Sequence, residues 1–169
     1  LSTVSAANPK IADYPFTTLH PNLGVVSIDG YEFVMADIPG LIEGAHEGAG
    51  LGHRFLGHVE RCQTLLHLID ANGADPVAAW KVLRAELKAY GGDLYEKPEI
   101  VGLTKIDTTP EGYAADLTKT LKNAGAARVL TLSAVTGTGV TPVLRELIDV
   151  IEASRTTEYE PKEAAPWSP

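Results

Sequence analysis

Apolar positions along this chain follow two rhythms. "GVVSID" and "YEFVMAD" are β-rich runs on either side of Asp29-Gly30, a hairpin-type pair, so Val25 to Ile28 and Glu32 to Ala36 are predicted to be antiparallel neighbours. Further on, "TLLHLID", "EIVGLTK" and "RVLTLSA" are short, almost wholly apolar and each followed by a helical pattern, as expected of parallel strands covered on both faces. Val77, Trp80, Leu83, Leu87 and Tyr90 recur at helical spacing between Pro76 and the Gly91-Gly92 stop, and Val143, Leu144, Leu147, Ile148 and Ile151 repeat the signal near the end. Leu117, Leu121 and Ala124 mark a weaker helix after Pro110, and "GHRFLGHVERC" reads as another, with Phe55 and Val59 inward. From Thr156 onward prolines and glutamates replace the periodicity, which predicts a linker or tail over 156–169. Strands alternating with helices give an α/β, doubly wound sheet, and such sheets bind ligands at the carboxyl ends of their strands.

Composition narrows the class. The 169 residues, 44% hydrophobic and 21% charged, suit one ordinary globular domain with a core of its own. A formal net charge of −8 opposes non-specific attraction to nucleic acid or an anionic membrane, and no direct nucleic-acid binding is expected of this segment. Cys62 is the single cysteine, so no internal disulfide can form, and a half-buried thiol in a reduced, cytoplasmic compartment is expected. No apolar run approaches the roughly 18 residues that span a bilayer. His46, His53 and His58 are spaced so that no pair shares a helical face at i, i+4, which argues against a zinc site.

Candidate chemistry lies at the strand ends. The strand "FVMA" ends in Asp37-Ile38-Pro39-Gly40, where a carboxylate can reach a magnesium ion through water and the glycine N–H can approach a phosphate oxygen. "EIVGL" ends in Thr104-Lys105-Ile106-Asp107. An aspartate held there can accept hydrogen bonds from the N1–H and 2-amino groups of guanine, a pattern adenine cannot supply, while the lysine stem lies along the base. "VLTL" ends in Ser133-Ala134-Val135, where a small residue lets a backbone N–H approach guanine O6 and Ser133 steadies the loop. Each motif is weak alone; the three in this order, each at its own strand end, point together to a guanine nucleotide.

These residues resemble the Obg GTPases, bacterial GTP-binding proteins associated with large ribosomal subunit assembly. The resemblance covers residues 1–155, and is carried by "NPKIADYPFTTLHPNLGVV", "DIPGLIEGAHEGAGLGHRFLGHVERC" and "SAVTGTGV", which look like its switch regions and guanine loop. It implies a P-loop NTPase-like, mostly parallel sheet with one antiparallel hairpin edge, lacking the first strand and the P-loop. It also implies a slow, Mg²⁺-dependent GTP switch that works with the large ribosomal subunit, as a monomer and without a membrane. Thr18 resembles the switch threonine that binds Mg²⁺ and the γ-phosphate, with Phe16, Thr17, Leu19 and His20 around the nucleotide; Asp37 is the second implied metal residue.

The sequence departs from common GTPase patterns in three places. Leu41 stands where many small GTPases carry a glutamine that orients the attacking water, so hydrolysis is expected to need outside help, and no catalytic residue is assigned. Thr104 replaces the usual asparagine, so some bracing of the guanine loop is expected to be lost. No G-x-x-x-x-G-K-[ST] occurs, although the family would place it immediately before Leu1, so the domain is expected to be incomplete at its N-terminus and to bind GTP poorly by itself. The alternative is a guanine-nucleotide or partner-binding module without hydrolysis.

Overall fold

The computed structural model describes residues 3–4, 10–11, 22–37, 60–90 and 94–158. Six strands and three α-helices occur among them: β1 (Lys10–Ile11), β2 (Asn22–Ile28), β3 (Tyr31–Asp37), β4 (Leu65–Asp70), α1 (Pro76–Tyr90), β5 (Glu99–Thr104), α2 (Tyr113–Asn123), β6 (Val129–Thr131) and α3 (Val140–Glu158). The strands form two sheets, an antiparallel one in the order β1-β2-β3 and a parallel one in the order β4-β5-β6.

The expected hairpin is present and longer than its β-rich core. β2 and β3 pair from Asn22↔Asp37 to Ile28↔Tyr31, with Val25 opposite Val34. Asp29 and Gly30 both have positive φ, 52° and 83°, which is the backbone a tight two-residue turn needs to match the twist of the strands. At the tip, Arg145 on α3 donates through Nε to Asp29 Oδ2 at 2.7 Å, and that guanidinium holds the Asp29 carboxyl below its usual range. Pairing of β1 through Lys10↔Leu23 and Ile11↔Asn22 adds a third strand that the pattern did not mark, because two residues are too short to show an alternation.

The helices begin and end near their sequence signals. Asp75 caps α1 by accepting the Ala78 N–H at 2.9 Å, and Pro76 takes the first helical position, where no N–H is needed. α3 continues to Glu158, past Thr156 where a tail was expected; the next proline, Pro161, comes only after the helix ends. Of the helix expected over 52–62, the described part, Glu60 to Cys62, is a turn running into β4, and Phe55 and Val59 lie outside the described residues. Cys62 is half-buried there, and burial pushes its thiol pKa up.

Both faces of the parallel sheet are covered. Ile69, Val101, Leu103 and Val129 pack with Trp80 of α1 and with Leu117 and Leu121 of α2. On the other face Ile100 and Leu132 pack with Val143, Leu144, Leu147 and Val150 of α3, and Val26 from β2 joins the same cluster, with Phe33 and Met35 against it. The hairpin is therefore fastened to the core by one face. At the amino ends of the parallel strands Glu99 ties α1 to the sheet: its carboxylate lies 3.1 Å from His67 Nδ1 and accepts from Trp80 Nε1 at 3.3 Å. Register Asp70↔Thr104 and Leu103↔Thr131 brings the carboxyl ends of β4, β5 and β6 to one side of the sheet.

Candidate functional site

Two of the sequence motifs meet at those carboxyl ends. After Thr104 the chain passes through Lys105 in the left-handed conformation, φ 60° and ψ 34°, and turns at once into a short 3-10 helix, Ile106–Thr108. Two residues beyond β6 the second loop begins at Ser133, and the Leu132 N–H donates to Leu103 O at 2.8 Å, so the approach to Ser133 is fastened to the strand that delivers Thr104. Ser133 is fully buried. Its N–H donates to Thr138 O at 2.8 Å and its Oγ accepts the Thr136 N–H at 3.2 Å, closing the loop on itself; the expectation that Ser133 steadies this turn matches the geometry. Gly139, at φ 74°, lets α3 start directly beneath, since a Cβ there would run into the Thr131 carbonyl. Val135 is 88% exposed, so its side chain makes no wall for a ligand and only its backbone is placed to serve one.

Thr104 is not idle. Its hydroxyl donates to Ile69 O at 3.1 Å, tying the end of β5 to β4. The rest of the bracing comes from residues that the sequence reading did not single out. Asn72 donates through Nδ2 to Thr108 Oγ1 at 2.9 Å and to Lys105 O at 3.3 Å, and Thr108 Oγ1 donates to the same carbonyl at 2.9 Å. Asp70, the last residue of β4, accepts Lys105 Nζ at 2.6 Å and the Asn72 N–H at 2.9 Å. The Lys105 ammonium first, and the Asn72 N–H next, hold the Asp70 carboxyl below the ordinary range. Asp70 could have been found by the strand-end rule that picked out Asp37 and Asp107; Asn72 had no such signal.

Asp107 is exposed, and among the described residues its carboxylate makes no hydrogen bond or ion pair. Ile106 is half-buried beneath the same turn. Asp37 ends β3 in the other sheet, paired in register with Asn22, and its side chain is exposed. An exposed carboxylate at a strand end is a hard oxygen donor of the kind Mg²⁺ takes alongside several waters. Phe16, Thr17, Thr18, Leu19, His20, Ile38, Pro39, Gly40 and Leu41 lie outside the described residues. Among those described, no cluster of three His, Cys, Asp or Glu side chains could hold a metal, and no helix is long and apolar enough to cross a membrane.

Comparison with known proteins agrees with this arrangement. The profile of the 50S ribosome-binding GTPase family matches residues 1–105. The GTPase Obg of Zymomonas mobilis is 51% identical over 173 residues, covering 100% of this chain and 49% of that protein, so the chain spans about half the length of the curated relative it matches. Among solved structures, the G domain of the T. maritima FeoB iron transporter superposes with a TM-score of 0.60 at 21% identity, covering 91% of this chain and 87% of that one. The nucleolar GTP-binding protein 1 of Plasmodium falciparum gives 0.56 at 16%, covering 80% of this chain and 72% of that one. These likenesses show the P-loop GTPase fold, with its parallel sheet and antiparallel pair. The chain belongs to the 50S ribosome-binding GTPase family, on the Obg side of it.

Proposed function

We propose that this chain supplies the guanine-reading part of a GTPase that hydrolyses GTP to GDP and phosphate, acting as a slow switch in large ribosomal subunit assembly in the cytoplasm. The observation that carries the reading is the meeting of the Thr104–Asp107 turn and the Ser133–Val135 loop at one end of the parallel sheet. In this reading Asp107 accepts the guanine N1–H and 2-amino protons, the Lys105 stem lies along the base, and the Ala134 N–H serves O6. Each charge-assisted hydrogen bond of this type contributes about 1.5–3 kcal/mol, enough to select guanine over adenine.

Asp37 and Thr18 would hold Mg²⁺, which supplies charge neutralisation on the phosphate oxygens when bound. Phe16, Thr17, Leu19, His20 and the Ile38-Pro39-Gly40 turn would surround the nucleotide, and their ordering with the γ-phosphate would make the switch. Leu41 cannot orient water, which favours a slow reaction that depends on a partner. The phosphate-binding loop and its strand belong, in this proposal, to residues outside the chain. Two observations support that: among the described residues β3 and β4 are each bonded along one edge only, and Leu68 on β4 is 55% exposed. One more apolar strand between the two sheets would pair with both.

The test is titration of a fluorescent guanine nucleotide, with and without Mg²⁺ and with ATP as competitor, into this chain and into the full-length protein. Tight, Mg²⁺-dependent, ATP-resistant binding in the full-length protein and weak binding in the chain is the expected result. Equal competition by ATP would remove the guanine assignment.

A further inference from the structure

The bracing around Lys105 has a consequence for base selection. Asp107 has no side-chain partner among the described residues, so the aim of its carboxylate is set by the backbone of the turn that carries it. That turn starts from a lysine at φ 60°, a conformation that the Cβ of an L-residue disfavours. Something must therefore hold Lys105 in place. The Lys105 carbonyl accepts the Asn72 amide, the Thr108 hydroxyl at 2.9 Å and the Thr108 N–H at 3.2 Å, while its ammonium is anchored on Asp70. With the Asn72 N–H on Asp70 Oδ1, these contacts close a ring between the end of β4 and the turn after β5. The ring grips the turn from the β4 side, whereas the Ser133 loop adjoins it from the β6 side, because the strand order is β4-β5-β6.

We infer that Asn72 and Asp70 are positioning residues for guanine selection. They act through the Lys105 backbone and Thr108, fixing the turn so that Asp107 meets both donors on the guanine edge, and they take over the bracing that the threonine at position 104 gives up. Asn72 is the stronger of the two, since its amide bonds two atoms of the turn directly. Asp70 acts on an exposed ammonium and contributes less. This inference rests on the guanine reading above.

The experiment uses the full-length protein and compares GDP, IDP and ADP binding by wild type, Asn72→Ala, Asn72→Asp and Asp70→Asn. Inosine lacks the 2-amino group, so the GDP-to-IDP ratio reports whether Asp107 makes its second hydrogen bond. We expect Asn72→Ala to lower GDP affinity about tenfold and the GDP-to-IDP preference at least about threefold, with Asp70→Asn causing a smaller loss of the same kind. Asn72→Asp keeps the shape without the amide donor, and should also speed hydrogen exchange at the Thr108 and Thr109 amides while the melting temperature stays close to wild type. A wild type that prefers GDP to ADP, combined with variants that are folded and keep its GDP-to-IDP ratio, would overturn the inference. A wild type with no preference for GDP over ADP would instead overturn the guanine reading, and this inference with it.

Discussion

The two sheets are built from strands of similar apolar content and end up held in different ways. In the parallel sheet Ile100, Val101 and Leu103 are buried in succession, because helices cover both faces. In the antiparallel hairpin the inward face carries Val26, Phe33 and Met35 against α3, while Val25 and Val34, paired across the strands, are 49% and 64% exposed. The loops that would read the base leave the first sheet, where neighbouring strand ends are joined by Thr104 to Ile69, Leu132 to Leu103 and Asn72 to Lys105. Asp37, the residue assigned to the metal, leaves the second sheet. Among the described residues the first end is therefore tied strand to strand, as reading one base requires, whereas β3 ends at Asp37, beyond which the chain lies outside the described residues until Glu60.

Substitutions in the two sheets should separate them by size of effect. Leu103→Ala, in the fully buried strand, is expected to cost about 2–5 kcal/mol in a urea unfolding experiment. A smaller loss, about 1–3 kcal/mol, is expected for Ser133→Ala, which leaves the Thr136 N–H without its acceptor; guanine nucleotide affinity should fall with it in a fluorescence titration.

Acidification should act more gently, and on both sheets together. The carboxyls of Asp70 and Asp29 are each held below 3.8 by a cationic partner, Lys105 and Arg145 respectively. A carboxyl lowered in the folded state adds stability that is complete above its unfolded value and is lost as pH falls through its folded value. Carboxyl-carbon shifts should therefore give both midpoints below 3.8, with the hairpin tip and the Lys105 turn loosening only in that acid range. Removing either partner, by Lys105→Met or Arg145→Met, should return the corresponding midpoint towards 3.8. The smallest effect belongs to Val34→Ala on the exposed face of the hairpin, expected to stay within about 0.5 kcal/mol in the same unfolding assay.

Much of this was legible from local pattern. Continuous apolar runs marked β4, β5 and β6 as parallel strands, Asp29-Gly30 marked the hairpin turn, and the Pro76 and Gly91 punctuation marked α1, because burial on both faces and positive φ leave their signature within a few residues. The places of Lys105 and Asp107 just past β5, and of Ser133 just past β6, were legible for the same reason. Asn72 was not: its partners, Lys105 and Thr108, lie more than thirty positions away, and only the parallel register of β4 and β5 brings them together. Glu99 with His67 and Trp80 is a second case, a polar contact made by the packing of α1 on the sheet and invisible in any hydrophobic period. The two-residue strand β1 was missed because it is shorter than the period that would announce it.

If the turn after β5 reads guanine through Asp107, a single substitution there should redirect the choice of base. Asn at position 107 would keep an acceptor for N1–H and turn a donor towards position 2, where guanine carries an amino group and xanthine a carbonyl. Titrating the full-length Asp107→Asn variant with GDP and with XDP should show GDP affinity falling about a hundredfold, the equivalent of about 2.7 kcal/mol, while XDP becomes the preferred ligand. A folded variant that binds GDP as the wild type does, and shows no gain for XDP, would remove Asp107 from guanine recognition.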